Sequence, residues 1–488
     1  VRAAPARLEI LEEAMKNTDR VWDFVDARRD DYIGLSDRVF DQPEIAYTEF
    51  KSVAEHRKML EQEGFRITEG VAGIPTAIVG EAGDEGPVIA ILGEFDALPD
   101  LGQVAGVAEQ QPVEQGGPGH GCGHNLLGSA ALMAAASVKD YLAERGIKGR
   151  VRYYGCPAEE GGAAKTFMVR EGLFDDVDAA ISWHPATFTA VNEARSLANT
   201  RIDFTFHGRA AHAAGAPELG RSALDAIELM NVGINYMREH MPDDARVHYA
   251  YLDAGGIAPN VVQSRATVRQ LVRAGNLKEL HGLIDRVRKV AEGAALMTET
   301  TVESRVVSGV SNLIGNRPLE ETMQRNMERL GAPEFDDMDR AFAEKIRTTL
   351  SEDNITVSFR RVGMEVDPEL ALCDFVVPLE RQSEGGEGST DVGDVSWAVP
   401  TVQARVATCA VGTPFHTWQL TAQGKAPAAH KGMTHAAKII AGTAVDLFED
   451  SEVLQRAIET HRTKLAKEPY DCPISKDVSP PLKAMSNQ

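Results

Sequence analysis

Cysteine is scarce in this chain and odd in number: five in 488 residues, at positions 122, 156, 373, 409 and 472. Such usage does not make a disulfide framework and fits a reducing cytoplasm. Basic residues are in deficit, 51 Lys and Arg against 73 Asp and Glu, which leaves a net charge of −22. That balance excludes the basic footprint that nucleic-acid binding requires. An acidic substrate would need a local cationic pocket, and most of the acidic surplus serves solubility. Long apolar runs are missing too: nothing approaches the ~18 consecutive residues of a membrane span. Val1 to Asn17 is charged and helix-like, without the apolar core of an export signal, which argues against export. What remains is an ordinary globular composition, 43% hydrophobic and 25% charged. The length suits two to four domains at roughly 100–200 residues each.

Glycine is concentrated where the chemistry is. Residues 119–125 read Gly-His-Gly-Cys-Gly-His-Asn. Glycine permits turns that a side chain forbids, so Cys122 and His124 can face one point. Thiolate sulfur and imidazole nitrogen are the donors that zinc and its transition-row neighbours prefer. Alone, the heptapeptide is equally well a flexible turn with a stray thiol; the rest of the chain decides.

After a helical lead-in over 1–30 and further helical sequence over 31–65, an α/β rhythm sets in. Four apolar runs read as strands: 87–93, 151–156, 179–183 and 406–411. An alanine-rich helix is expected over 128–142. Each strand run hands over a carboxylate or His just past its C-terminal end: Glu94 and Asp96, Glu159 and Glu160, His184, and His416. That edge is where active sites form in open α/β sheets. Between these halves the pattern changes. Strands at 202–207, 246–252, 261–272 and 301–307 alternate with helices at 219–240 and 277–297, the second with Leu280, Leu283, Val287, Val290 and Ala294 on one face. The order β-α-β-β-α-β is that of the split βαβ, ferredoxin-like module. The chain thus reads as 1–196, first part of an α/β domain; 197–308, an inserted domain; and 309–488, the resumed α/β domain. Residues 309–395 are the least readable, with a charged helical stretch over 319–350 and a Gly/Ser/Glu loop over 383–393. That loop and the one at 101–118 are expected to shape a pocket.

Cys122, His124, Glu160, His184 and His416 are together about the number of protein ligands that two divalent ions require. Glu159 is then the natural general base, since one carboxylate of an adjacent pair can bind metal while its neighbour stays free. A single His at a strand end is usually a hydrogen-bonded structural residue; this set, at these positions, reverses that expectation.

Gly-Glu-Phe-Asp-Ala-Leu-Pro (93–99), the 119–125 stretch, Pro-Ala-Glu-Glu-Gly-Gly (157–162), Trp-His-Pro (183–185) and Gly-Arg-Ala-Ala-His-Ala-Ala (208–214) carry a resemblance to a family. It is the metallopeptidase family of aminoacylases, glutamate carboxypeptidases and auxin-conjugate amidohydrolases. The resemblance runs nearly the whole chain, through Leu219–Ala226, Ala291–Glu303 and Ser389–Trp397. It implies an α/β/α metallopeptidase catalytic domain with a ferredoxin-like lid and dimerisation domain. It places metal ligands at Cys122, His124, Glu160, His184 and His416, with Glu159 as base. His430 competes for the last position but lies inside what reads as the final helix. Most of the family has a His ligand where this chain has Glu94, so the Cys122/His124 pair is expected to take over and Asp96 to orient. His212 resembles the residue that reaches a neighbouring subunit's site and stabilises the oxyanion. Asn260 and Arg273 resemble contacts to the substrate carboxylate, for which a bidentate Arg is suited. On residue pattern alone these three read as an exposed His, an Asn turn and a surface salt bridge. His120, His207 and the other cysteines are read as structural.

The reaction the resemblance implies is metal-dependent hydrolysis of an N-acyl amino acid, foremost p-aminobenzoyl-glutamate, a folate breakdown product. Another aryl- or indole-acyl amino acid, or a dipeptide, is the alternative. Two divalent ions per subunit are expected: the thiolate favours zinc, the mixed N/O shell suits manganese, and the resemblance tips the choice to manganese. A homodimer through the inserted domain is expected, or a heteromer with a paralogous subunit, without nucleic acid or membrane. Two further readings stay open: a Cys122 nucleophile with His124 or His120 as base, and a non-catalytic subunit.

Overall fold

The larger sheet shows in its burial pattern why these residues pair as they do. In the computed structural model, which describes residues 4–381, 383 and 388–485, helices α1 (Ala4–Phe40) and α2 (Phe50–Gln62) precede strands β1 (Arg66–Glu69), β2 (Ile78–Ala82) and β3 (Val88–Glu94). Helix α3 (His124–Arg145), β4 (Arg150–Cys156), α4 (Ala164–Arg170), β5 (Ala179–Ala186) and β6 (Ala190–Val191) follow. A later strand, Thr401–Ala407, completes a seven-stranded sheet inside the β5/β6 edge. The pairs among β3, β4, β5 and that strand are parallel, and the outer pairs antiparallel. On β3, Ile89 and Ile91 enter one core with α1 and α3, while Val88, Ala90 and Leu92 enter another with α4. A strand buried on both faces reads as the continuous apolar run seen in the sequence.

The second sheet has four antiparallel strands, with β7 (Ala198–His207) and β9 (Arg265–Ala274) between β10 (Thr301–Val310) and β8 (Arg246–Asp253). Helices α5 (Ala223–Met237) and α6 (Leu277–Thr298) cover one face. Ile202, Phe204 and Phe206 meet Ile227, Met230, Leu280 and Val287 there. The β-α-β-β-α-β order is the expected one. Residues 199, 201 and 203 point to the opposite, helix-free face, as alternation requires.

After it come α7 (Arg317–Leu330), α8 (Asp337–Arg347), α9 (Glu352–Arg361), α10 (Val392–Ala398), β11 (Thr401–Ala407), α11 (Trp418–Gln423), α12 (Pro427–Glu449) and α13 (Ser451–Lys467). Several boundaries differ from those read in the sequence. The 319–350 stretch is two helices, because α7 stops at Gly331 and Asp336 opens α8 with a capping box. Helix α5 starts at Ala223 rather than 219, since Ser222 accepts from the Asp225 N–H as N-cap. The 406–411 strand lies earlier, at 401–407. Gln403 and Arg405 line a cavity, so their polarity hid it. The 261–272 strand begins only at Arg265, and α12 is followed by another helix. No helix among the described residues is long and apolar enough to cross a membrane.

Helix α3 is buried along most of its length between α1 and α12, and its small side chains allow a close approach to β3. At Gly128 an added Cβ would lie 2.5 Å from the Glu94 carbonyl oxygen and 2.8 Å from the His56 ring. Gly128→Ala should therefore destabilise by roughly 1–3 kcal/mol through overpacking, despite alanine's helix propensity advantage of about 1 kcal/mol. Urea unfolding of the variant checks this; an unchanged midpoint would mean that α3 can back away from β3.

Candidate metal centre

The C-terminal ends of β3, β4, β5 and β11 open on one cavity of about 870 Å³. Each loop there is held by identifiable bonds. Gly123, at φ 78°, is the N-cap of α3 and turns the chain so that His124 opens the helix. Gly119 lies so close to Leu101 that a Cβ would sit 2.0 Å from its carbonyl oxygen. The His416 N–H donates to the Gly121 carbonyl at 2.8 Å. His416 itself takes a left-handed conformation, φ 61°, uncommon for a residue with a Cβ and typical of functional sites.

The Glu159–Glu160 turn lies between left-handed Ala158 and Ala163. Buried Glu49 accepts from the Ala158 N–H at 3.0 Å, the Tyr47 N–H at 2.8 Å and the Thr76 hydroxyl at 2.9 Å. Burial, with Asp96 nearby, pushes the Glu49 carboxyl up to about 8. The Tyr47 hydroxyl donates to the Gly162 carbonyl at 2.7 Å. From the second sheet, Arg201 donates to the carbonyls of Gly161 and Glu160, and Ser308 to that of Gly161. None of these supports carried a signal in the sequence.

Asp96 ties two expected ligands together. One carboxylate oxygen is 2.9 Å from His124 Nδ1, and the other accepts the Glu160 N–H at 3.0 Å. Burial acts to raise this carboxyl, but His124 and the Glu160 N–H outweigh it and hold it low. His184 bonds the Pro185 carbonyl through Nδ1 at 2.8 Å. Burial, with Arg405 and His124 close by, lowers His184 well below its usual range, so the ring is neutral. In both histidines Nε2 is left to bind, the arrangement expected of an oriented metal ligand.

Donors held by one ion at about 2.0–2.3 Å in tetrahedral geometry lie roughly 3.2–3.6 Å apart. Cys122 Sγ is 3.4 Å from His184 Nε2, and His416 Nε2 is 3.2 Å from Glu160 Oε1. Cys122, His124 and His184 form one set of donors within 4.8 Å of one another, and Cys122, Glu160 and His416 a second. His124 Nε2 and Glu160 Oε1 are buried without hydrogen-bond partners. Orphaned buried polar atoms aimed into a thiolate, imidazole and carboxylate cluster fit a divalent transition ion. Glu159 stands beside them. Burial, with Glu94 and Glu160 adding, raises its carboxyl well above the ordinary range, as suits a general base. Burial and Glu160 likewise push the Cys122 thiol up.

The remaining expected residues divide. Arg273 lines the cavity: one Nη donates to Ser389 Oγ at 3.0 Å, and its buried Nε has no partner. His212 and Asn260 do not line it. They are exposed neighbours in the second unit, where the Ala213 N–H donates to the Asn260 carbonyl and His212 Nδ1 accepts from Ala214 and Gly215. His430 is paired with Asp37 at 2.9 Å, away from the other donors. His120 bonds the Val39 carbonyl. Glu94 lies beside the expected donors, with His124 and Glu159 within 4.8 Å. The loop at 101–118 does not line the cavity, whereas Ser383 and residues 388–391 do; residues 384–387 lie outside the described residues.

Replacing Asp96 by Asn should weaken metal affinity about 10–100-fold by freeing the His124 ring. Competition with a fluorescent chelator measures this, and unchanged affinity would mean that packing alone orients His124.

Known proteins resemble this chain in sequence and in fold. A family model described as peptidase family M20/M25/M40 matches residues 90–363. The chain is 47% identical over 472 residues to one of the subunits of p-aminobenzoyl-glutamate hydrolase of Escherichia coli (strain K12), covering 94% of this chain and 98% of that protein. It is 28% identical over 483 residues to the Xaa-Arg dipeptidase of Mus musculus, covering 96% and 95%. Among solved structures, an aminobenzoyl-glutamate utilization protein from Klebsiella pneumoniae superposes with a TM-score of 0.57 at 17% identity, covering 85% and 97%; that likeness is one of fold.

Proposed function

Since the chain belongs to peptidase family M20/M25/M40, we propose that it is a metal-dependent amidohydrolase that cleaves p-aminobenzoyl-glutamate to p-aminobenzoate and glutamate. The observation that carries this reading is the convergence of Cys122, Glu160, His184 and His416 on one cavity that also holds Glu159 and Arg273, with His124 buried against Cys122 and His184. The relative that is 47% identical is a hydrolase of this substrate by its name.

Two divalent ions, manganese in use with zinc as the alternative, would supply Lewis acidity and lower the pKa of water at the site. Cys122, His124, Glu160, His184 and His416 would hold them. Glu159 takes a proton from the attacking water and returns it to the leaving nitrogen, so water is consumed and an acid and an amine are released. Asp96 keeps the His124 ring and the Glu160 backbone in register. Arg273 pairs with a carboxylate of the glutamate moiety, and Arg201 adds positive charge to the same wall. This is the local cationic pocket that an acidic substrate needs on so acidic a protein.

His212 and Asn260 serve the site of a neighbouring copy, His212 by stabilising the oxyanion and Asn260 by contacting the substrate. Their exposure, away from their own chain's cavity, supports a homodimer through the lid unit (197–308) between the catalytic parts (1–196 and 309–488). Edge strand β8, with exposed Tyr249, Tyr251 and Leu252, offers the surface for it. A heteromer with a paralogous chain is the second arrangement, supported by the name of the E. coli relative as one subunit of its enzyme. Five unpaired cysteines support a cytoplasmic location.

The test is release of p-aminobenzoate by the purified chain, as isolated, after chelation, and after add-back of manganese or zinc. Activity should vanish with chelator and return with one ion, and Glu159→Gln should lower kcat by about 10²–10⁴-fold. Metal-dependent cleavage of dipeptides or other acyl amino acids, but not this one, would discard the substrate and keep the chemistry. Cleavage indifferent to chelation would sink the metal reading. Light scattering should give twice the chain mass; a monomer that is fully active would remove the role of His212 across subunits.

A further inference from the structure

Glu94 is the last residue of β3 and almost wholly buried, 1% exposed. Its two carboxylate oxygens have different surroundings. Oε1 lies 2.7 Å from Lys165 Nζ. Oε2 has no hydrogen-bond partner, although it is 3.3 Å from His124 Nε2, which has none either. The two atoms lie within ion-pair distance, yet neither completes a hydrogen bond. His124 already uses Nδ1 for Asp96. The 3.3 Å spacing matches the other donor pairs of the site, 3.4 Å for Cys122 with His184 and 3.2 Å for Glu160 with His416, and it is the separation of two ligands on one ion.

The charge count points the same way. Lys165 is fully buried, and Asp391 binds it twice, accepting its backbone N–H at 2.9 Å and its ammonium at 2.7 Å. Glu94 and Asp391 share this one ammonium, so the three side chains together keep a negative charge in a closed interior. Such a charge is retained where a cation meets it. Glu94, His124 and Glu159 are donors within 4.8 Å of one another, an oxygen-rich end opposite the thiolate of Cys122.

We propose that Glu94 is itself a metal ligand, sharing with His124 the ion at the inner end of the centre, and that Lys165 is the positioning residue that aims its free oxygen. The inference rests on the metal-dependent reading above and gives a carboxylate the place that a His ligand holds in most of the family.

The test is metal content, read apart from activity. Wild type, Glu94→Gln, Glu94→Ala, Lys165→Met and Cys122→Ala are equilibrated with buffered manganese, zinc or cobalt and analysed by plasma mass spectrometry. Circular dichroism in chelator checks folding, and the isosteric Glu94→Gln decides if the alanine variant fails to fold. Wild type should hold two ions per chain and both Glu94 variants one. In the cobalt form the thiolate charge-transfer band should persist without Glu94 and disappear in Cys122→Ala. Lys165→Met should keep two ions with one of them weakened about 10–100-fold, which a merely structural loss would not confine to one ion. Glu94→Gln holding two ions at wild-type affinity overturns the proposal while leaving the metal reading intact. A wild-type chain that takes up no ion overturns both.

Discussion

The Lys165 ammonium, clamped between Glu94 and Asp391 with no exposure to solvent, is the charge on which the site depends. Glu94, Asp96, Glu159 and Glu160 crowd the ends of β3 and β4, where like charges repel strongly and water is largely excluded. Lys165 lies at the start of α4, directly behind the Glu159–Glu160 turn, so one helix start serves both the charge balance and the loop geometry. Burial there acts to lower the ammonium's pKa, and its two carboxylate partners outweigh that effect. The remaining negative charge favours a cation at this end of the sheet.

The sheet explains how such a costly arrangement is assembled. Parallel strands buried on both faces are rigid, and their C-terminal ends deliver donors from four separate loops to one place. Rigidity alone leaves the loops undirected. Asp96, Glu49 and Tyr47 direct them by binding backbone groups of the Glu159–Glu160 turn, and the His416 N–H joins the last loop to the glycine stretch. Left-handed Ala158, Ala163 and His416 mark where the backbone is bent to meet that requirement.

Much of this is legible in the residues. Cys122 and His124 announce themselves through local spacing, and Glu160, His184 and His416 because each follows an apolar run. The ferredoxin-like order shows because its strands and helices alternate cleanly. What stays hidden has physical reasons. Lys165 and Asp391 are 226 residues apart, and no period or spacing links such a pair. Glu49 sits in an ordinary polar stretch, and only its burial gives it meaning. Gln403 and Arg405 are polar because they face the cavity, so β11 lost its apolar signature. Glu94 stands out at the end of its strand run, but that its second oxygen faces His124 shows only in the fold.

The Arg201 bond to the Glu160–Gly161 carbonyls has a mechanical consequence. Arg201 belongs to the second sheet, and the turn it grips carries Glu159 and Glu160 of the first. A swing of the smaller unit away from the cavity must therefore break those bonds or drag the turn with it. The two sheets are thus coupled at this turn: the second holds in register two carboxylates that the first alone does not fix.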